Sequence, residues 1–127
     1  MGTRSTTKIY KDGKLVLALY KQYDGYPEGW GKELKEFLKA KKFVNGFGTD
    51  NKDRVFNGIC DFALQLVCEF KEGAGGLYAA TEDDSQEYNY VIEFTSGDPE
   101  KDEKSRIVIR CREDDSFHEE FQVDSDG

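Results

Sequence analysis

Arg4 lies in the run Thr3-Arg4-Ser5, and Asp24 lies in the run Gln22-Tyr23-Asp24-Gly25-Tyr26-Pro27. Together these segments hold a guanidinium, whose planar fork suits a carboxylate or a phosphate. They add short hydroxyls, an amide, a carboxylate and two phenols. This is binding-site chemistry without an obvious pairing of nucleophile and base. The residues expected to form the site are Thr3, Arg4, Ser5, Gln22, Tyr23, Asp24 and Tyr26.

Such a site requires the two segments to meet, and a hairpin supplies the means. Asp12-Gly13 separates two runs rich in β-branched, aromatic and aliphatic residues, Thr6-Thr7-Lys8-Ile9-Tyr10 and Leu15-Val16-Leu17-Ala18-Leu19-Tyr20, a strong two-residue turn signal. Centring the turn there pairs residues whose numbers sum to about 25. Thr3 then faces Gln22, and Arg4 lies opposite Lys21 and diagonal to Tyr23. Both segments fall at the open end of the hairpin, beside the start of a helix whose free N–H groups favour anions. A purely structural reading is equally available: Arg4 pairs with Asp24 to tie down the first residues, while Tyr23, Tyr26 and Pro27 pack the turn against Trp30.

Other chemistry-bearing residues are more isolated. His118, the sole histidine, is flanked by Glu119 and Glu120 and alternates outward on a predicted strand. Arg106, Arg110 and Arg112 form a stripe on a strand face, where pairing with Glu120 is favoured over capture of a phosphorylated ligand. Acidic runs at 82–84, 98–103 and 113–115 lack the alternating ligand spacing of a calcium loop. Cys60, Cys68, Cys111 and one histidine do not have zinc-ligand spacing, so no metal and no cofactor are expected. Gly73-Ala74-Gly75-Gly76 lacks the Lys-Ser/Thr of a phosphate-binding loop.

The elements that position these residues follow from periodicity. After the hairpin, Trp30, Leu34, Phe37 and Leu38 recur at helical spacing, predicting a helix over about 29–41. The polar stretch 45–51 precedes a second, more apolar helix carrying Val55, Ile59, Phe62, Ala63, Leu66, Val67 and Phe70, with Gly73 as its C-cap. Alternating strands are predicted over 77–80, 87–95, 105–112 and 117–123. The second hairpin strand, apolar at odd and even positions, is placed inside the sheet, and its more polar partner at an edge. The expected fold is one α+β domain in the order ββααββββ: an antiparallel sheet of five or six strands, an N-terminal hairpin plus a C-terminal meander, with two helices packed mainly on one face.

The 127 residues suit one core and are too few for two. Hydrophobic content of 37% and aromatic content of 13% support folding, so the mean hydropathy of −0.75 reflects a charged surface. A net charge of −8 and a pI near 4.7 oppose binding to DNA, RNA polymers or an anionic membrane, though not to a small anion in a local cationic pocket. Three cysteines without framework spacing read as buried thiols in a reducing compartment. With neither a membrane span nor a secretory leader, a cytoplasmic location is expected. Met1-Gly2-Thr3-Arg4-Ser5-Thr6 also fits the loose N-myristoylation pattern.

The opening Met1-Gly2-Thr3-Arg4-Ser5, the hairpin, Tyr20-Lys21-Gln22-Tyr23-Asp24-Gly25-Tyr26-Pro27 and the following Gly31-Lys32-Glu33-Leu34 and Phe37-Leu38 resemble a family of small uncharacterised proteins from bacteria, their phages and large DNA viruses. The resemblance covers about the first third of the chain. It implies that the two segments belong together and suggests a viral or phage origin, but it carries no catalytic residue with it. Three functions are consistent with these readings. The first is a binding protein that holds a small anionic, nucleotide-like ligand or a host partner at the N-terminal edge. The second is a small enzyme acting on phosphate esters or nucleotides, with Asp24 as acid or base and Arg4 stabilising developing charge. The third is a structural protein using the same edge as a homo-oligomer interface.

Overall fold

The computed structural model describes residues 2–44 and 55–123; the expected polar stretch 45–51 lies outside them. The chain forms β1 (Ser5–Lys11), β2 (Lys14–Lys21), a π-helical turn (Pro27–Gly31) running directly into α1 (Lys32–Ala40), and β3 (Lys42–Val44). It continues with β4 (Val55–Asn57), α2 (Gly58–Phe70), β5 (Leu77–Ala79), β6 (Tyr88–Thr95), a 3-10 turn (Pro99–Lys101), β7 (Arg106–Cys111) and β8 (Asp114–Gln122). The α+β class is as expected, but the order is ββαββαββββ rather than ββααββββ, because the short strands β3 and β4 stand between the two helices. Val55 belongs to β4 rather than to the second helix, because it pairs in parallel with Lys42 of β3 in a small separate sheet.

Six strands make the main sheet, in the order β5-β2-β1-β6-β7-β8. The sheet is mixed, which corrects the expectation of antiparallel pairing throughout: β1 and β6 run parallel, from Ser5 opposite Tyr88 to Lys11 opposite Phe94. The helices and β5 lie between them in sequence, as a parallel crossover requires. The polar strand β1 therefore lies at the centre of the sheet, not at its edge. Ser5, Thr6, Thr7 and Lys8 are all buried there, and three of the four polar side chains are bonded. Thr6 Oγ1 donates to Asn89 Oδ1 at 2.7 Å, Thr7 Oγ1 accepts from Trp30 Nε1 at 2.8 Å, and Lys8 Nζ donates to the Asp84 carbonyl at 2.6 Å.

Both helices cover one face of the sheet. Ile9, Leu19, Tyr90, Ile92, Ile107 and Ile109 from that face share one cluster with Trp30, Leu34, Leu38, Ile59, Phe62 and Leu66. Cys111 joins this cluster and is a buried thiol, its pKa raised by burial. Cys60 and Cys68 are exposed, contrary to expectation, because the inward face of α2 consists of Ile59, Phe62, Ala63 and Leu66, with Cys60 one step around the helix from it and Cys68 on the opposite side. The same helix ends at Phe70 with extended Lys71 as its C-cap. Gly73, with φ +91°, belongs to the following turn instead.

The Asp12-Gly13 turn forms as expected, both residues having positive φ (49° and 83°) as the tight hairpin turn demands. Beyond it the register shifts. Tyr10 faces Leu15, but Ile9 faces Leu17 and Ser5 faces Lys21, so β2 carries a bulge at Val16. Val16 and Leu17 both pack against the helix-side cluster, which accounts for the apolar residues at successive positions. The expected pairing of Arg4 with Lys21 is displaced by one residue.

Candidate functional site

The N-terminal segment and the loop after β2 meet despite the bulge. Asp24 adopts φ 57°, a left-handed conformation that aspartate tolerates better than most residues, and this turns the chain back over residues 2–5. Gly25 N donates to the Thr3 carbonyl at 2.9 Å, Trp30 N to the Asp24 carbonyl at 2.8 Å, and Tyr90 Oη to the Gly25 carbonyl at 2.6 Å. The approach is close enough to demand glycine. A Cβ on Gly25 would lie 2.6 Å from Ser5 Cβ, and one on Gly2 would lie 2.6 Å from the Gln22 carbonyl oxygen and collide with the Tyr23 ring.

Pro27 at the first position of the π-helical turn fixes where the helix begins, and it holds Tyr26 extended as the residue before a proline. The loop backbone is thus clamped between the sheet and α1. Of the seven expected site residues, Ser5 is fully buried, its Oγ without a hydrogen-bond partner among the described residues. Thr3 and Gln22 are half-buried, and Gln22 Oε1 accepts from Tyr20 Oη at 3.0 Å. Arg4, Tyr23, Asp24 and Tyr26 are exposed, Tyr23 at 55%. Tyr26 Oη reaches Asp24 Oδ1 only at 3.5 Å. Neither Arg4 nor Asp24 has an ion pair among the described residues, so the structural tie between them does not form.

One aromatic residue that no sequence pattern places at this edge joins Tyr20 there. Gln22 N donates to the Gly76 carbonyl at 2.8 Å, bringing in β5, where exposed Tyr78 lies 5.8 Å from Tyr20 between ring centroids. A three-residue strand after a glycine run does not reveal its partner. The surface presents an arginine, a carboxylate and several phenols on a fixed backbone and is suited to recognition. Asp24, being exposed, has none of the exclusion of water that acid–base chemistry exploits.

The remaining candidates lie elsewhere. Arg106 Nε is 3.7 Å from Glu120 Oε1 as expected, but Arg110 pairs with Glu93 of β6 rather than with β8. His118 is exposed beside Arg110 in the sheet register. Among the described residues no group of three His, Cys, Asp or Glu is placed to hold a metal ion.

A groove of about 390 Å³ opens on the sheet face away from the helices, with Lys8, Tyr10, Glu82, Asn89, Arg110 and Arg112 among its walls. It escapes a reading of the sequence because it depends on the parallel pairing of β1 with β6. No protein-family model, curated protein or solved structure matches the chain.

Proposed function

We propose that the protein is a noncatalytic interaction protein whose N-terminal edge docks on a protein partner presenting a carboxylate or phosphate to Arg4. The observation that carries this reading is that Arg4 is exposed and without an ion pair among the described residues, next to exposed Tyr23 and Tyr26, on a loop pinned by the Thr3, Asp24 and Gly25 backbone bonds. Arginine and tyrosine are the residue types that dominate binding energy at interfaces, and a pinned backbone loses little entropy on docking. The resemblance of these two segments to proteins of bacteria, phages and large DNA viruses supports a partner within a host cell. A net charge of −8 favours a protein partner over a nucleic-acid polymer.

Affinity capture with the wild-type chain, with Arg4→Ala and with Tyr23→Ala tests this reading. The expected result is a stoichiometric protein partner lost by both variants, while both melt as the wild type does, and retained by Arg106→Gln, whose side chain sits on β7. Capture of the same proteins by all four chains would overturn it.

A further inference from the structure

The groove on the sheet face away from the helices has a composition that the N-terminal edge does not explain. Its deepest cation is Lys8, only 7% exposed on the central strand. The ammonium has three donors, of which one goes to the Asp84 carbonyl at 2.6 Å. No carboxylate lies within ion-pair distance of it among the described residues. Asp83, its carboxyl held below the usual value first by Thr81 and last by Lys8, balances this charge only from beyond ion-pair distance, and the ammonium borders a concavity. Arg112, exposed and likewise without an ion pair among the described residues, forms another part of the same wall.

The acidic groups around the groove narrow the choice of ligand. Glu93 is taken by Arg110. Asp83 Oδ1 accepts from Thr81 Oγ1 at 2.6 Å and Asp84 Oδ2 accepts from Thr81 N at 2.9 Å, so both carboxylates serve their own turn. Asn89 is engaged at both ends of its amide, by Thr6, Gln86 and Glu113, and forms a fixed wall. Glu82 stands beside Tyr10, whose phenol is raised first by burial and then by that carboxylate, and which Arg110 and Arg112 also reach electrostatically. Glu82 would repel a bare anion but would accept hydroxyl donors from a ligand that also carries an anionic group. The floor is apolar at Val91, and the volume of about 390 Å³ falls within the range of small-ligand sites.

We propose that this groove binds a small phosphomonoester bearing free hydroxyls, with the phosphate held by Lys8 and Arg112 and the hydroxyls by Glu82 and Tyr10. The site is independent of the partner surface at Arg4.

Titration calorimetry on the full chain with ribose 5-phosphate, 5′-AMP, adenosine and inorganic phosphate provides the test. Ribose 5-phosphate and 5′-AMP are expected to bind, and adenosine and inorganic phosphate to bind at least about tenfold more weakly. Lys8 is buried and Lys8→Met could impair folding, so the deciding variant is Arg112→Gln at the exposed wall. It is expected to melt as the wild type and to weaken 5′-AMP binding about tenfold or more, whereas Arg4→Ala binds 5′-AMP unchanged. Binding of adenosine as tight as that of 5′-AMP, binding of inorganic phosphate as tight as that of ribose 5-phosphate, no binding of either phosphomonoester, or full affinity in Arg112→Gln would each overturn the proposal.

Discussion

The phenolic hydroxyl of Tyr90, on β6, donates a 2.6 Å hydrogen bond to the carbonyl oxygen of Gly25, in the loop after β2, across 65 residues of sequence. Both groups are buried, and burial raises the phenol well above its usual range, so Tyr90 remains a donor throughout the working pH range. Tyr90→Phe keeps the ring and its edge-on contact with Phe117, at 5.3 Å between centroids, and removes only the bond. It leaves the Gly25 carbonyl unpaired, at an expected cost of about 1–3 kcal/mol in urea-unfolding free energy. A loss below a few tenths of a kcal/mol would show that the Gly25 carbonyl finds another donor.

Gly25→Ala attacks the same junction from the other side. The added methyl meets Ser5 Cβ at 2.6 Å, Ser5 Oγ at 2.8 Å and the Thr3 carbonyl oxygen at 2.9 Å. Two of these atoms belong to a buried side chain and one to backbone, so relief requires residues 3–5 to move. Overpacking of this kind costs about 1–3 kcal/mol, a fall in Tm on the order of 4 °C per kcal/mol for a domain of this size. Differential scanning calorimetry measures it, and partner capture should weaken in parallel because Arg4 rides on the displaced segment. An unchanged Tm would mean that the loop yields without cost.

Asn89 joins three parts of the chain through one buried amide. Its Oδ1 accepts from Thr6 Oγ1 at 2.7 Å and from Gln86 N at 3.0 Å, and its Nδ2 donates to the Gln86 carbonyl at 2.8 Å and to Glu113 Oε2 at 2.9 Å. Asn89→Ala leaves the Thr6 hydroxyl and the Gln86 backbone groups without their partner, and is expected to cost at least about 2 kcal/mol. Amide hydrogen exchange should rise over residues 80–87, the segment that the amide fastens to the sheet. Exchange confined to the termini would count against this role.

Local chemistry was legible in the sequence, and long-range pairing was not. Asp12-Gly13 revealed the hairpin because two residues determine a tight turn. The spacing of Trp30, Leu34 and Leu38 revealed α1 because the helical repeat is a property of one segment. The same logic set Thr3 opposite Gln22 and brought residues 2–5 against 22–27; the segments do meet, through the bond from Gly25 N to the Thr3 carbonyl, although the bulge at Val16 displaces the register by one. Ser5, Thr6, Thr7 and Lys8 read as an edge strand because polarity marks solvent exposure on average. Their burial follows from β6, some eighty residues onward, which supplies Asn89 for Thr6 and the parallel pairing that encloses them. The groove beside Lys8 was hidden for the same reason.

Asp12 couples that parallel pairing to pH. Its carboxylate accepts from Ser96 Oγ at 2.6 Å and Ser96 N at 2.7 Å, while Asp12 N donates to the Phe94 carbonyl at 2.9 Å, so the first hairpin turn is fastened to the far end of β6. The Ser96 hydroxyl first, and then its backbone N–H, hold the Asp12 carboxyl below its usual value. A carboxyl whose pKa is lower in the folded than in the unfolded state contributes stability above the unfolded value, about 3.9, and loses it as pH falls through the folded value. Asp12→Asn keeps a side chain that tolerates the φ of 49° and can still accept from Ser96, but it does not titrate. Urea midpoints measured from pH 7 to pH 2 should therefore favour the wild type at neutral pH, with the gap closing below about pH 4. Because the group is exposed and screened the gap will be small, but its sign is fixed by the two Ser96 donors, and a gap that widens in acid would exclude them as its source.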